Sequence, residues 1–488
     1  MGLRDPRSED QSRMSSTAQR EAGRLSDAKS TARVVAAFVD RARAAQAGVD
    51  ELVTAAGWAI VHPEHNRRLA ELAVRDTGLG NVADKIAKNR RKTIGLLADL
   101  AGTKSVGVIA ELPELGITEI ARPVGVVGAL TPSTNPGATP ANNIINALKG
   151  RNAIILAPSP KGHSTGALLV EYIHTELDRV GAPRDLVAQL PSPVTREMTF
   201  ELMRQVDLVV ATGSQTNVRA AYESGTPAIG VGAGNVVVIV DETADTADAA
   251  GKIAASKMFD HATSCSSENS IIVVGDAYEP MLAALQAVGG VRLDADERSR
   301  LAEAMFSNGK LVPQFTAQSA PSIAQRAGLA RPELQRAGFL LVEETGTGAA
   351  HPFSGEKLSP VLTLYRAADF ASAAELAQGI LRYQGLGHSV GLHTMRADRA
   401  LQLGLALPVC RIIVNQSHCF ATGGSFDNGL PFSLSMGCGT WGRNSISDNL
   451  NYRHFLNITR IVRPLDVPRR EPSEDELFGA YRRRHGAY

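Results

Sequence analysis

At 488 residues, 44% of them hydrophobic, the chain is long enough for two or three domains, each with its own core. Its 51 basic side chains are balanced by 50 acidic ones, which leaves no global field to draw nucleic acid or a membrane surface, and the one basic run, Arg482-Arg483-Arg484, reads as part of a solvated tail. No apolar stretch approaches the ~20 residues that span a bilayer, the first thirty residues lack an apolar signal core, and four cysteines make no disulfide framework, so a soluble cytoplasmic protein is expected.

Residues 1–30 are rich in Arg, Ser, Asp and Glu and read as a disordered arm. Helical faces follow: Val34, Val35 and Phe38; then Leu69, Leu72 and Ala73, closed by Gly78 and Gly80; then Ile86, Ile94, Leu97 and Leu100. These read as packing helices without chemistry. Apolar runs at 106–109 and 117–121 flank a turn at Pro113 and Gly116 and predict a β-hairpin. Strand, loop and helix then alternate. Strands are expected at 124–130, 153–156, 187–190, 208–211 and 236–240, with helices at 141–148 and 164–179. This rhythm predicts an α/β fold with a parallel sheet whose ligands bind beyond the C-terminal ends of the strands. A second α/β run starts at Ile271, with strands expected at 340–342, 361–365, 390–393 and 411–414. The stretch 415–444 is mostly Gly, Ser and Asn; so long a loop in a compact domain is usually functional. A last strand is expected at 458–462, and the polar tail after Pro464 reads as peripheral.

Several loops carry residues suited to chemistry. Thr131-Pro132-Ser133-Thr134-Asn135-Pro136-Gly137 follows a strand and places the Asn135 amide where an oxyanion would need a donor, although Asn before Pro also suits an Asx turn or N-cap. Ala211-Thr212-Gly213-Ser214-Gln215 runs from strand into helix and could bring backbone N–H groups to a phosphate. Gly230-Val231-Gly232-Ala233-Gly234-Asn235 precedes a strand, where a dinucleotide fingerprint should follow one, and reads as a backbone segment of close approach. In Thr263-Ser264-Cys265-Ser266-Ser267-Glu268 the cysteine lies among small hydroxylated residues before an apolar strand, a setting for a reachable nucleophile. Cys410, within Val409-Cys410-Arg411-Ile412, looks like a structural cysteine instead. Glu356, in Glu356-Lys357-Leu358-Ser359-Pro360, could accept from ribose hydroxyls or stay a solvated glutamate.

Taken together these stretches, with Asp76-Thr77-Gly78 and Gly437-Cys438-Gly439-Thr440-Trp441-Gly442-Arg443-Asn444-Ser445, resemble the aldehyde dehydrogenase superfamily over residues 30–464, and specifically its CoA-acylating branch. The resemblance implies a dinucleotide-binding α/β domain at 31–258, a catalytic α/β domain at 259–445, a return segment and oligomerisation strand at 446–464, and a polar tail at 465–488. The 106–121 hairpin would join that strand in an arm, implying a homodimer or homotetramer.

It further implies Cys265 as nucleophile, with the Asn135 amide and the Cys265 backbone N–H as oxyanion hole. Leu130, Thr131, Pro132, Gly213, Ser214, Glu356 and Leu358 would hold the dinucleotide. Thiolate attack on an aldehyde and loss of hydride would leave a thioester on Cys265. Hydrolytic members keep a glutamate base in the segment matching 230–235, whereas this chain has no carboxylate between Ala228 and Val240. Coenzyme A is therefore expected to resolve the thioester as co-substrate. Ser159 and Lys161 occupy the adenosine-ribose segment without an acid, which favours NADP, with NAD as the alternative.

Relatives acting on small aldehydes typically have glycine where this chain has Arg443, whose guanidinium suits an anionic aldehyde terminus. His418 and His261 are further expected contacts to that substrate. The pattern implies sulfoacetaldehyde first, then succinate semialdehyde or acetaldehyde. No metal site is expected. A thiol acyltransferase pairing Cys265 with His418, a phosphate-dependent reductase and a silent binding protein are the competing readings.

Overall fold

The computed structural model describes residues 48–486; the expected arm at 1–30 and the helical face of Val34, Val35 and Phe38 lie outside the described residues. The described chain forms two compact units, a smaller one from Lys104–Arg122 and the segment from Leu456 onward, and a larger one from Gly48–Thr103 and Pro123–Phe455.

In the smaller unit, the strands Gly107–Leu112 and Ile117–Pro123 pair antiparallel, Leu112 opposite Ile117, and Leu456–Val462 adds a third strand beside the second. The hairpin turns at Gly116, whose φ of 63° favours glycine and where a Cβ would lie 2.4 Å from the Arg463 carbonyl oxygen. The polar tail contains a helix, Glu474–His485, which its polar composition hides and whose few large apolar residues, Leu477, Phe478 and Tyr481, are exposed. Its signals are electrostatic: a Ser473/Glu476 capping box, three acids in the first turn and four basic residues in the last.

The larger unit holds two parallel sheets. The first has five strands in the order Val187–Gln189, Ala153–Pro158, Val126–Thr131, Leu208–Ala211 and Ala228–Gly230. The chain leaves the central strand Val126–Thr131 toward one side and later returns to the other, so the crevice of the strand-order reversal lies between Thr131 and Ala211. The second has seven strands in the order Gly290–Arg292, Phe339–Glu343, Val361–Ala367, Glu268–Val274, Val236–Val240, Val390–His393 and Ile412–Val414.

One expectation is corrected here. Val236–Val240 pairs with Glu268–Val274 and Val390–His393 in the second sheet, and the short strand Ala228–Gly230 closes the first. The boundary between the sheets thus falls in the glycine-rich segment at 231–235, ahead of the expected 258. Strands buried on both faces of a parallel sheet carry the same continuous apolar signature, and which sheet they join depends on distant partners. Val236, Val238 and Val240 pack toward Ile253 and Met281, while Val237 and Ile239 pack toward Ile380 and Leu381, so alternate side chains of one strand enter opposite helix layers.

The helices Pro63–Thr77 and Val82–Leu100, after helical residues 48–61, precede the first sheet. Among the described residues, no helix is long and apolar enough to cross a membrane, and no cluster of His, Cys, Asp and Glu could hold a metal ion.

Candidate active site

A cleft of about 520 Å³ separates the two sheets. One wall is built at the C-terminal ends of the first sheet's strands, by Thr131–Asn135 and Thr212–Gln215. The other is built at the N-terminal ends of the second sheet's strands, by Val231–Gly234, Thr263–Ser266, Glu356 and Leu358.

Cys265 sits half-buried in this cleft, just before the strand Glu268–Val274. Three consecutive non-glycine residues ahead of it, Asp260, His261 and Ala262, adopt left-handed conformations with φ of 51°, 51° and 56°. Such backbone is strained and persists only where its surroundings over-determine it. The buried Asp260 side chain supplies the anchor. Its Oδ2 accepts from Lys88 Nζ at 2.6 Å, Thr263 Oγ1 at 2.7 Å and Lys85 Nζ at 3.1 Å, and its Oδ1 accepts from the Asn81 N–H at 3.0 Å. The Asp260 N–H in turn donates to Asp84 Oδ2 at 2.7 Å. Gly80 admits this carboxylate: a Cβ there would fall 1.8 Å from Asp260 Oδ1. Gly234 plays the same part for the nucleophile, since a Cβ at that position would lie 2.5 Å from Cys265 Cβ. Burial pushes the Cys265 thiol well above its ordinary range, and the Glu356 carboxylate adds to the effect.

Asn135 is neither N-cap nor Asx turn. Gly137 occupies the N-cap of the helix Ala138–Lys149, which has no side-chain cap. Asn135 Oδ1 instead accepts from Lys88 Nζ at 2.8 Å. An ammonium can only donate, so the amide must turn its oxygen toward Lys88, which leaves the Nδ2 hydrogens for the cleft. Lys88 therefore links the strained turn before Cys265 to the orientation of the amide across from it. Lys85 donates to the Thr134 carbonyl at 3.1 Å and holds the same loop.

The residues expected at the dinucleotide mostly meet in the cleft. Thr131, Pro132, Ser159, Gly213, Ser214, Glu356 and Leu358 line it, whereas Leu130 is buried behind it and Lys161 is exposed outside its lining. Ser214 caps the helix Gln215–Glu223, and a Cβ on Gly213 would meet only Pro132, at 3.9 Å, so this wall is backbone open to a ligand. Ser159 Oγ and Glu356 Oε1 are buried without a hydrogen-bond partner. Orphaned polar atoms beside an open helix N-terminus fit a dinucleotide's hydroxyls and phosphates. Burial pushes Glu356 up to about 8. Its loop is fixed by buried Lys357, whose Nζ donates to the Phe353 and Gly355 carbonyls at 2.6 and 3.0 Å, and whose N–H donates to Asn269 Oδ1 at 2.9 Å.

The three expected substrate contacts are not brought into the cleft. Arg443 is exposed at the end of the short turn Thr440–Gly442 and adopts a φ of 57°. A glycine in relatives at that position suits the left-handed backbone and implies no pocket. The loop around it is structural: the Cys438 N–H donates to Asn444 Oδ1 at 2.9 Å, and Cys438 Sγ would lie 2.5 Å from a Cβ on Gly232. His418 is buried with its Nδ1 on the Ser266 carbonyl at 2.9 Å, and burial depresses its pKa to about 4, so near neutral pH it has no charge to offer an anion. It also faces the backbone of the nucleophile loop, away from a proton-accepting role at the thiol. His261 sits in the strained turn with Nδ1 3.3 Å from the Ala317 carbonyl oxygen.

The sequence reading missed Lys85, Lys88 and Lys92 on the helix Val82–Leu100, which it took for packing alone. Spacings of three and four residues place all three on one face, and all three are buried. The lysine stripe itself, with Asp84 the one acid at matching spacing, was the available signal.

The aldehyde dehydrogenase family profile matches residues 8–295. An acylating sulfoacetaldehyde dehydrogenase from Cupriavidus necator is 62% identical, covering 94% of each chain. The crystal structure of an acetylating aldehyde dehydrogenase from Geobacillus thermoglucosidasius superposes with a TM-score of 0.83 at 35% identity, covering 91% of this chain and 98% of that one. An engineered glycolyl-CoA reductase with bound NADP+ superposes at 0.77 with 25% identity, covering 88% of this chain and 96% of that one.

Proposed function

Since the chain belongs to the aldehyde dehydrogenase family, we propose that it oxidises a short anionic aldehyde, sulfoacetaldehyde, to its coenzyme A thioester through an acyl-enzyme on Cys265. The observation that carries the acyl-transfer half is the wall beside the thiol. Val231–Gly234 lines the cleft against Cys265 and contains no carboxylate, so no base is held there to activate water against a thioester.

Cys265 gives up its proton to water and attacks the aldehyde carbon as thiolate. The oxyanion that forms receives hydrogen bonds from the Asn135 amide, aimed by Lys88, and from the Cys265 N–H. A nicotinamide dinucleotide held by Thr131, Pro132, Gly213, Ser214 and Glu356 supplies, when bound, the acceptor for the hydride whose loss yields the thioester. The coenzyme A thiol then attacks the thioester carbonyl, the same two donors stabilise the second oxyanion, and Cys265 leaves as thiolate and takes up the proton that the coenzyme A thiol gives up. Among the described residues Glu356 is the one carboxylate in the cleft lining, and this reading assigns it to ribose hydroxyls rather than to water.

NADP preference rests on Ser159 and on the lack of an acid between Ala157 and Lys161. An oligomer built through the three-stranded arm belongs to the same proposal, and sedimentation of the purified chain checks it.

The decisive experiment incubates the enzyme with sulfoacetaldehyde, NADP or NAD, and either coenzyme A, phosphate or no acceptor. Dinucleotide reduction that requires coenzyme A, with sulfoacetyl-CoA found by mass spectrometry, is expected. Free sulfoacetate as the main product, or a requirement for phosphate, overturns the reading.

A further inference from the structure

Beyond Asn135 the cleft opens into a recess of about 30 Å³. Asn135, Ser264 and Lys92 line both spaces, so the recess adjoins the oxyanion donor and the residue next to Cys265. Its far wall is aromatic, with Phe259 and Phe420 packed edge to face at 4.8 Å. Two further cations of the helix Val82–Leu100, Arg91 and Lys92, also line it.

These cations differ from their neighbours. Lys85 and Lys88 share the Asp260 carboxylate. Arg91 and Lys92 make no ion pair among the described residues. Lys92 Nζ donates to the Gly423 and Gly424 carbonyls at 2.6 and 3.4 Å, and Arg91 Nη2 donates to Ser425 Oγ at 3.0 Å while the guanidinium lies 4.8 Å over the Phe420 ring. The nearest acids act only at longer range: Asp427 accepts from Ser425 Oγ at 3.1 Å, and Asp99 accepts from the Phe432 N–H at 2.5 Å. A buried cation without a counter-charge is costly, and burial followed by the adjacent Arg91 charge depresses Lys92 to about 7. An anion in the recess would relieve both. The recess has room for a head group of a few heavy atoms.

We propose that Arg91 and Lys92 form the subsite for the anionic end of the aldehyde, holding a sulfonate or carboxylate in the recess while its carbonyl carbon lies at Cys265. This rests on the acylating reading above and moves substrate selection from the exposed Arg443 to the helix Val82–Leu100. The donor set matches the ligand, since ammonium and guanidinium both donate to oxyanions and, among the described residues, the recess contributes no acidic side chain to repel them.

The test compares kcat/KM for sulfoacetaldehyde, succinate semialdehyde and acetaldehyde, with coenzyme A, in wild type, Arg91→Leu, Arg91→Lys, Lys92→Met and Arg443→Gly. Arg91→Leu is expected to lower the sulfoacetaldehyde-to-acetaldehyde selectivity ratio by ~10- to 100-fold, mainly through KM, with partial recovery in Arg91→Lys. Arg91 is only half-buried, so its variants keep the test alive if Lys92→Met does not fold. An unchanged ratio in the Arg91 variants, or a fall produced by Arg443→Gly instead, overturns the subsite. A rise in the KM of coenzyme A that is equal with all three aldehydes overturns it too, by assigning the cations to a coenzyme A phosphate. Wild type that forms no acyl-CoA from any of the three would sink the acylating reading itself, a result separable from failure of the subsite.

Discussion

The five-stranded and seven-stranded sheets face the same cleft with opposite ends of their strands. The first presents C-terminal ends, where a chain leaving a parallel strand turns toward a helix N-terminus; apart from the Asn135 amide, its contributions, Thr131–Pro132 and Gly213–Ser214, are largely backbone. The second presents N-terminal ends, where loops arrive before their strands; its contributions, Cys265 and Glu356, are reactive or titratable side chains. The first edge suits a ligand held by N–H groups and helix dipoles. The second suits chemistry, because a loop entering a fully buried strand is gripped from behind and can hold strained backbone. The helix Val82–Leu100 joins them, Lys88 reaching Asn135 on one side and Asp260 on the other.

If the edges divide binding from chemistry in this way, substitutions should separate them. The largest effect is expected from Cys265→Ala, with turnover lost by on the order of 10⁴-fold or more while dinucleotide binding, followed by titration calorimetry, persists. Loss of binding as well would mean that the second edge also holds the nucleotide. Asn135→Ala should lower kcat by ~10²- to 10³-fold with little change in KM. Lys88→Met should lower kcat by a smaller factor, ~10-fold or more, by letting the amide rotate. A change confined to KM in either variant would return Asn135 to a turn role.

Glu356→Gln sharpens the boundary, because this side chain belongs to the chemical edge but is assigned to the ribose. A rise of roughly 10-fold at most in the KM of the dinucleotide is expected, the scale of one lost hydrogen bond. The same variant should shift the pH profile of iodoacetamide alkylation to lower pH. The Glu356 charge opposes thiolate formation, so removing it brings the raised Cys265 pKa down, although burial, the larger cause, remains. An unmoved profile would show that the two groups do not interact. The smallest effect is expected from Val231→Glu, which should add a trace of hydrolysis without coenzyme A. Val231 lines the cleft, whereas a side chain at Gly230 would meet Val218 Cγ1 at 2.5 Å, so Val231 is the position that can present a carboxylate. A folded Val231→Glu enzyme that forms no free acid would count against the missing-base account.

Much of this was legible in the sequence, because the signals were local. Apolar runs between turn residues marked the strands at 208–211, 236–240 and 390–393 at their observed positions, since a strand buried on both faces must be apolar throughout. The polar surround of Cys265, the strand-to-helix loop at Asn135 and the absence of an acid at 228–240 are likewise properties of short segments. What stayed hidden was pairwise and distant. No local pattern tells which sheet Val236–Val240 joins, nor that the second sheet meets the cleft with the N-terminal ends of its strands, because β-sheet partners lie anywhere along the chain. Arg443 drew attention by its residue type, yet its side chain faces solvent from a left-handed turn. Arg91 and Lys92 look like the solvated face of an ordinary helix, and only the packing of the segments around Phe259 and Phe420 against that helix buries them. The sequence by itself determined the secondary elements and the chemical groups on offer; the tertiary structure decided which charges lost their water, and desolvation makes a surface lysine into part of a site.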